Sequence, residues 1–217
     1  MDATTASSKA ALFDRWNDLA SAFSPDLKEK WWKHLLNIYS ERSFYNLKHL
    51  NDMFLLFDEY KHKLQEQMAT AFAIFFLHAA DDPKRSNNAE RSVEILKQFS
   101  AETTIDLEYS ATLILKSEKH CTDAHLIANS YGEDDVHFLL DFDLAFLGVD
   151  EIEYYTHSKN IRKEYNHLND EEYRQQRLKI LKLFMRIPNI YATRELRERF
   201  EVQARLNIAK EISDLSK

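Results

Sequence analysis

Met68-Ala69-Thr70-Ala71-Phe72-Ala73-Ile74-Phe75-Phe76-Leu77-His78-Ala79-Ala80 is apolar on nearly every side of a helical wheel. A helix with one apolar stripe belongs at a surface, whereas one that is apolar all round belongs inside a fold. The stretch therefore predicts a central helix over 68–80, enclosed by others. The chain has only two glycines and three prolines among its 217 residues. Strand-rich folds need tight turns made from such residues. Their scarcity argues for long helices joined by short polar loops.

The neighbouring segments fit this scheme. A helix is predicted over 10–23, stopped by Ser24-Pro25, with Pro25 opening the next one. That next helix carries Trp31, Trp32, Leu35, Leu36 and Tyr39 on one wide face, and Leu47, Leu50, Met53, Phe54 and Phe57 form a further stripe. Downstream, helices are predicted over 88–99, 105–119, 134–147, 150–165, 170–185 and 192–215. Asn88 is placed as an N-cap and Gly148 as a left-handed stop, while Pro188 separates the last two helices. Residues 1–9 are small and polar and are expected to be flexible. No repeat, low-complexity tract or long linker interrupts 10–217, so the expectation is one all-α domain, a bundle of nine or ten helices.

Composition narrows the function. A formal charge of −7 disfavours non-specific nucleic-acid binding, although it leaves room for a local basic pocket. The single cysteine, Cys121, excludes an intrachain disulfide and suits a reducing compartment. The first residues hold no apolar core of signal-peptide length, and no apolar run approaches the roughly 20 residues that span a bilayer. The expectation is a cytoplasmic or nuclear protein without a membrane partner. There is no Gly-rich phosphate loop, C-x-x-C pair or nucleophile elbow. The 14 phenylalanines and 10 tyrosines are assigned to the core.

Four segments carry a more specific pattern: Arg42-Ser43-Phe44-Tyr45-Asn46-Leu47-Lys48-His49-Leu50; Ala73 to Ser92, containing Leu77-His78, Asp82-Pro83 and Asn88-Ala89-Glu90-Arg91-Ser92; Ile114-Leu115-Lys116-Ser117-Glu118-Lys119-His120; and Leu140-Asp141-Phe142-Asp143-Leu144-Ala145-Phe146-Leu147-Gly148. In order and spacing they resemble the predicted metal-dependent phosphohydrolases of the HD superfamily. There the corresponding patterns are roughly R-x-Y-H-N-x-x-H-I, A-I-W-F-H-D-A-V-Y-D-P-x-x-S-x-N-E-E-R-S, I-L-A-T-K-x-H and L-D-A-D-L-x-I-L-G. The resemblance extends from about Trp31 to Glu211 and implies an HD-domain-like helical bundle.

The resemblance also implies a site at which two histidines and two aspartates hold a divalent metal, which polarises a phosphoryl oxygen and lowers the pKa of a bound water, while a further histidine protonates the leaving oxygen. Several of these positions are changed here. Tyr45 stands at the general-acid histidine, and a phenol near pKa ~10 is a poor proton donor at neutrality. Leu77 replaces the histidine of the H-D pair, and Leu cannot coordinate. His78 replaces its aspartate; imidazole suits zinc, iron or nickel better than magnesium. Ala89 replaces a glutamate, and Glu90 is turned about 100° away.

His49, His78, His120 and Asp141 remain as a vestigial metal or pocket set, with Asn46, Asn88, Arg91, Asp143 and Arg177 as pocket-lining candidates. His49 is either a ligand or a packed, hydrogen-bonded histidine, and His78 either a ligand or a satisfied interior one. Asp141 and Asp143 project about 200° apart, and Asp141 is the choice to face the site. The alternative for Asp141 is an ion pair with Arg162, Arg177 or Arg205.

Two functional readings follow from the resemblance. One is a pseudo-phosphohydrolase that binds a protein partner, another copy of the chain or a small phosphorylated ligand, with no tightly bound metal. The other is an active metal-dependent hydrolase of a nucleotide-like phosphoester with a rearranged site.

Overall fold

A computed structural model of the chain describes residues 3–217. Eleven α-helices and two short 3-10 turns are present among the described residues, with no strand. The all-α expectation holds, with slightly more helices than the sequence suggests. The chain divides into two compact units, one ending at Glu118 and the other running from Lys119 to Lys217. The absence of a linker in the sequence predicts one domain. Among the described residues no helix is long and apolar enough to cross a membrane.

The first unit contains α1 (Ala3–Leu19), α2 (Pro25–Ser40), α3 (Leu47–Tyr60), α4 (Gln67–Phe76), α5 (Asn88–Thr103) and α6 (Glu108–Ser117). The stretch expected to be flexible is helical from Ala3 onward. Ser24 caps α2 as its composition suggests, its hydroxyl accepting from the Leu27 N–H at 3.4 Å, and Pro25 occupies the first turn, where a missing N–H costs nothing.

The core of this unit forms around α4. Every residue from Thr70 to Phe76 is buried, and the helix packs against α3, α5 and α6. Phe99 of α5 gathers the aromatics, with ring centroids 5.5 Å from Phe72, 5.4 Å from Phe76, 5.2 Å from Trp31 and 5.6 Å from Trp16. Such pairs add about 0.5–1.5 kcal/mol each to simple area burial. Polar groups in α4's neighbours bond its backbone: the Ser110 hydroxyl donates to the Ala69 carbonyl at 2.8 Å, and the Tyr39 hydroxyl to that of Phe75 at 2.8 Å. The helix ends at Phe76, four residues earlier than its apolar run predicts. Leu77 to Ala80 form a turn instead.

The second unit contains α7 (Asp123–Leu126), α8 (Asp135–Leu144), a 3-10 turn over Ala145–Gly148, α9 (Glu151–Glu164), α10 (Asp170–Arg186) and α11 (Arg194–Leu215). Here α8 is buried almost throughout. Gly148 is not the left-handed stop expected of it, since no glycine has a positive φ. Its role is steric: a Cβ there would lie 2.5 Å from the Cβ and 2.8 Å from the carbonyl oxygen of Phe200 on α11. The side chain of Asn207 fastens the same approach, donating to the carbonyls of Leu147 at 2.9 Å and Val149 at 2.8 Å.

Candidate functional site

The N-cap of α3 sets the first group of candidates. Asn46 has extended backbone, and its side-chain oxygen accepts from the N–H of Lys48 at 2.9 Å and of His49 at 3.2 Å. Its amide nitrogen donates to the Ser43 carbonyl at 2.9 Å. Asn46 thus fixes the start of the helix and, through it, the position of His49 in the first turn. His49 is buried, with its ring 5.0 Å from Phe44 and 5.3 Å from Tyr45.

His78 lies in the turn after α4, also buried. Tyr45 stacks on it at 3.8 Å between centroids with the planes 23° apart, and the His49 ring is 5.8 Å away. A ring nitrogen of His49 and one of His78 lie within 4.8 Å of each other. Stacking covers a face of the His78 imidazole, and imidazole is a ligand type that suits a divalent ion such as zinc. Zinc sites use three or four protein ligands, and two imidazoles alone fall short of that number. Leu77, beside His78, is buried and brings no donor.

The turn itself is clamped from both sides. Arg42 donates one guanidinium nitrogen to the His78 carbonyl and another to the Asp81 carbonyl at 3.0 Å. From α5, Arg91 donates to the Ala80 carbonyl at 3.0 Å, and the Ser92 hydroxyl accepts from the Ala80 N–H at 3.1 Å. Asn88 donates to the Asp82 carbonyl at 2.9 Å and to the Asp81 carboxylate at 3.2 Å. Asn88 is therefore the first residue of α5 and not its N-cap; Asn87 holds that position. Arg91 and Asn88, chosen as pocket-lining candidates, serve the turn's backbone. Ala89 is buried at the start of the same helix.

The candidates in the second unit have other engagements. Asp141 is wholly buried, and one of its carboxylate oxygens accepts from the Ala192 N–H at 2.8 Å. The other accepts from the Thr193 N–H at 2.8 Å and the Thr193 hydroxyl at 2.7 Å. Burial pushes its carboxyl up to about 7, against the pull of these donors. Thr193 in turn caps α11. Asp141 is an anchor for the start of that helix, and the ion pair proposed for it does not form. Arg177 pairs with Glu211 at 2.8 Å, Arg162 with Asp170 at 2.8 Å and Arg205 with Glu201 at 2.6 Å.

Asp143 is buried on the opposite side of α8. Arg177 and Glu211 are both nearly enclosed. Burial alone would lower the guanidinium's pKa, but the Glu211 pair outweighs it and holds it above the ordinary value. His120 is exposed, in a turn with φ 51°.

Sequence reasoning singled out neither Arg42 nor Ser92, although both lie inside the quoted segments, because neither can bind metal. Thr193 carried a usable signal: a Thr just ahead of a helical run is a cap, and a cap needs a partner for its own hydroxyl. No model of a protein family matches the chain, nor does any curated protein or solved structure.

Proposed function

We propose that this chain is a catalytically impaired relative of the HD-superfamily phosphohydrolases that acts by binding a protein partner, a further copy of itself or a small phosphorylated ligand. The observation that carries this reading is the stack of Tyr45 on His78 at 3.8 Å. The position that would supply a proton donor holds a phenol packed against the one imidazole of the altered H-D pair. A general acid contributes about 10²–10⁴-fold to catalysis, and a phenol at neutrality gives little of it. Asn46 and Arg91 bond backbone groups, and Asn88 bonds the Asp82 carbonyl and the Asp81 carboxylate, which supports maintenance of a frame over maintenance of chemistry.

The alternative, an active metal-dependent hydrolase of a nucleotide-like phosphoester, draws support from the His49–His78 nitrogen pair. If bound there, a divalent metal would supply Lewis-acid activation of water or phosphoryl oxygen; His49 and His78 would be among its ligands. One experiment separates the two. The purified chain is dialysed, analysed for metal, assayed against nucleotides and simple phosphoesters with zinc, manganese and nickel, and passed through a partner pull-down. Negligible turnover with a stoichiometric partner, or a self-associated species, is the expected result. Metal-dependent turnover that disappears in His78→Ala overturns the proposal.

A further inference from the structure

We propose that the second unit carries a separate binding site for an amphipathic organic anion, in the groove between α9, α10 and α11. The groove has a volume of about 820 Å³, within the ~300–1,000 Å³ of small-molecule sites. Ile152, Tyr154, Tyr155, Tyr173 and Leu215 give it mostly apolar walls. Of these, Ile152 is 80% and Tyr155 60% exposed, so large apolar side chains line the groove's open side without cover.

Two polar features specify the occupant. Tyr173 is only 7% exposed, and its hydroxyl is shielded from solvent with no hydrogen-bond partner. Such a group costs about 1–3 kcal/mol when left unmet, which makes it a ready donor to an acceptor oxygen. The nearby Tyr154 hydroxyl is already spent on Glu211 at 2.5 Å.

The second feature is Lys159. The other cations around the groove are matched: Lys210 with Asp214 at 3.4 Å, Arg162 with Asp170 at 2.8 Å and Arg174 with Glu171 at 2.5 Å. Lys159 has no carboxylate partner and sits 4.3 Å over the Tyr155 ring. An apolar body between tyrosines, an acceptor for Tyr173 and one negative charge for Lys159 together describe a fatty or aromatic carboxylate or sulfonate. A neutral hydrocarbon would leave both polar features unmet.

The test uses the full chain and 8-anilinonaphthalene-1-sulfonate, followed by fluorescence and calorimetry, with dodecanoate and dodecanol as competitors. Saturable one-to-one binding is expected, displaced by dodecanoate and far less by dodecanol. Tyr173→Phe should weaken binding about five- to tenfold while raising the thermal midpoint of the free protein, because it removes an unmet buried hydroxyl. A hydroxyl that is only packing would leave affinity unchanged. Lys159→Met should weaken both anions about tenfold and leave dodecanol unaffected. Non-saturable dye uptake, equal displacement by dodecanol, or affinities unchanged in both variants overturns the proposal. If Tyr173→Phe does not fold, the Lys159→Met result and the dodecanol comparison decide it.

Discussion

Tyr45 lies flat on His78, with the ring centroids 3.8 Å apart and the planes within 23° of parallel. The phenol therefore acts as a packing surface for the imidazole. If the proposed kinship with the HD superfamily is right, introducing Tyr45→His, Leu77→His, His78→Asp and Ala89→Glu together should raise affinity for zinc or manganese. The gain should be at least the ~10–100-fold that an outer-shell partner alone is worth at a metal site. Equilibrium dialysis measures it. An affinity equal to that of the parent chain would reject the HD-like alignment of these positions.

Arg42 spans the turn after α4 by bonding the carbonyls of His78 and Asp81. Hydrogen bonds from a charged donor are each worth about 1.5–3 kcal/mol. Arg42→Met should lower stability by about 2–4 kcal/mol, read as a reduced urea midpoint at constant m. Arg91→Met, which frees the Ala80 carbonyl of the same turn, should combine with it non-additively. A loss below about 0.5 kcal/mol, typical of a surface change, would mean that the clamp does not hold the turn.

Asp141→Ala tests the anchor at α11. It leaves two backbone N–H groups and the Thr193 hydroxyl without their acceptor in a buried setting. The expected cost is about 3–5 kcal/mol, comparable to removing one partner of a buried charge-assisted contact. Zinc bound by the folded fraction should not change. A variant of unaltered stability that loses bound zinc would restore Asp141 to a metal-site role.

Two groups in the second unit give opposite pH dependences. Burial lowers the His125 imidazole from 6.5 to about 4. The unfolded chain thus binds the extra proton between these values, and His125 makes stability rise with pH across about 4–6.5, by at most about 1.4 kcal/mol per pH unit. Asp141 is raised from 3.8 to about 7, so its contribution is full below pH 3.8 and is lost as pH rises to about 7. Relative to wild type, His125→Gln should make stability fall more steeply with pH over that first window, and Asp141→Asn should make it rise more steeply over the second. Denaturant midpoints at half-unit pH steps would show this. Parallel profiles for all three proteins would remove both assignments.

The helices around α2, α3 and α4 were legible because apolar spacing and caps are local signals, as with Ser24-Pro25 and the stripe from Leu47 to Phe57. The end of α4 was not legible. Leu77 to Ala80 continue the apolar run, and the turn depends on Arg42, 36 residues before the His78 carbonyl that it bonds. The sequence reads Gly148 as a helix stop and Asp141 as a site residue, whereas the partners that explain them, Phe200 and the Ala192–Thr193 amides, lie about 50 residues further on. The division at Glu118 left no mark in composition because no loop-forming residues cluster there. At the site, the residue types pointed to His49 and His78. The geometry adds which survivors support backbone, a role that residue type alone does not reveal.

The clamp on the turn also bears on how such a site changes over time. Arg42, Arg91 and Ser92 reach only main-chain atoms of His78, Ala80 and Asp81, and every residue type presents the same carbonyl. The shape of the loop is thus written outside the positions that would carry chemistry. Side chains at 77 and 78 can therefore change without removing any of the bonds that shape the loop, so what limits substitution there is the packing of Tyr45 on position 78 and not the path of the chain.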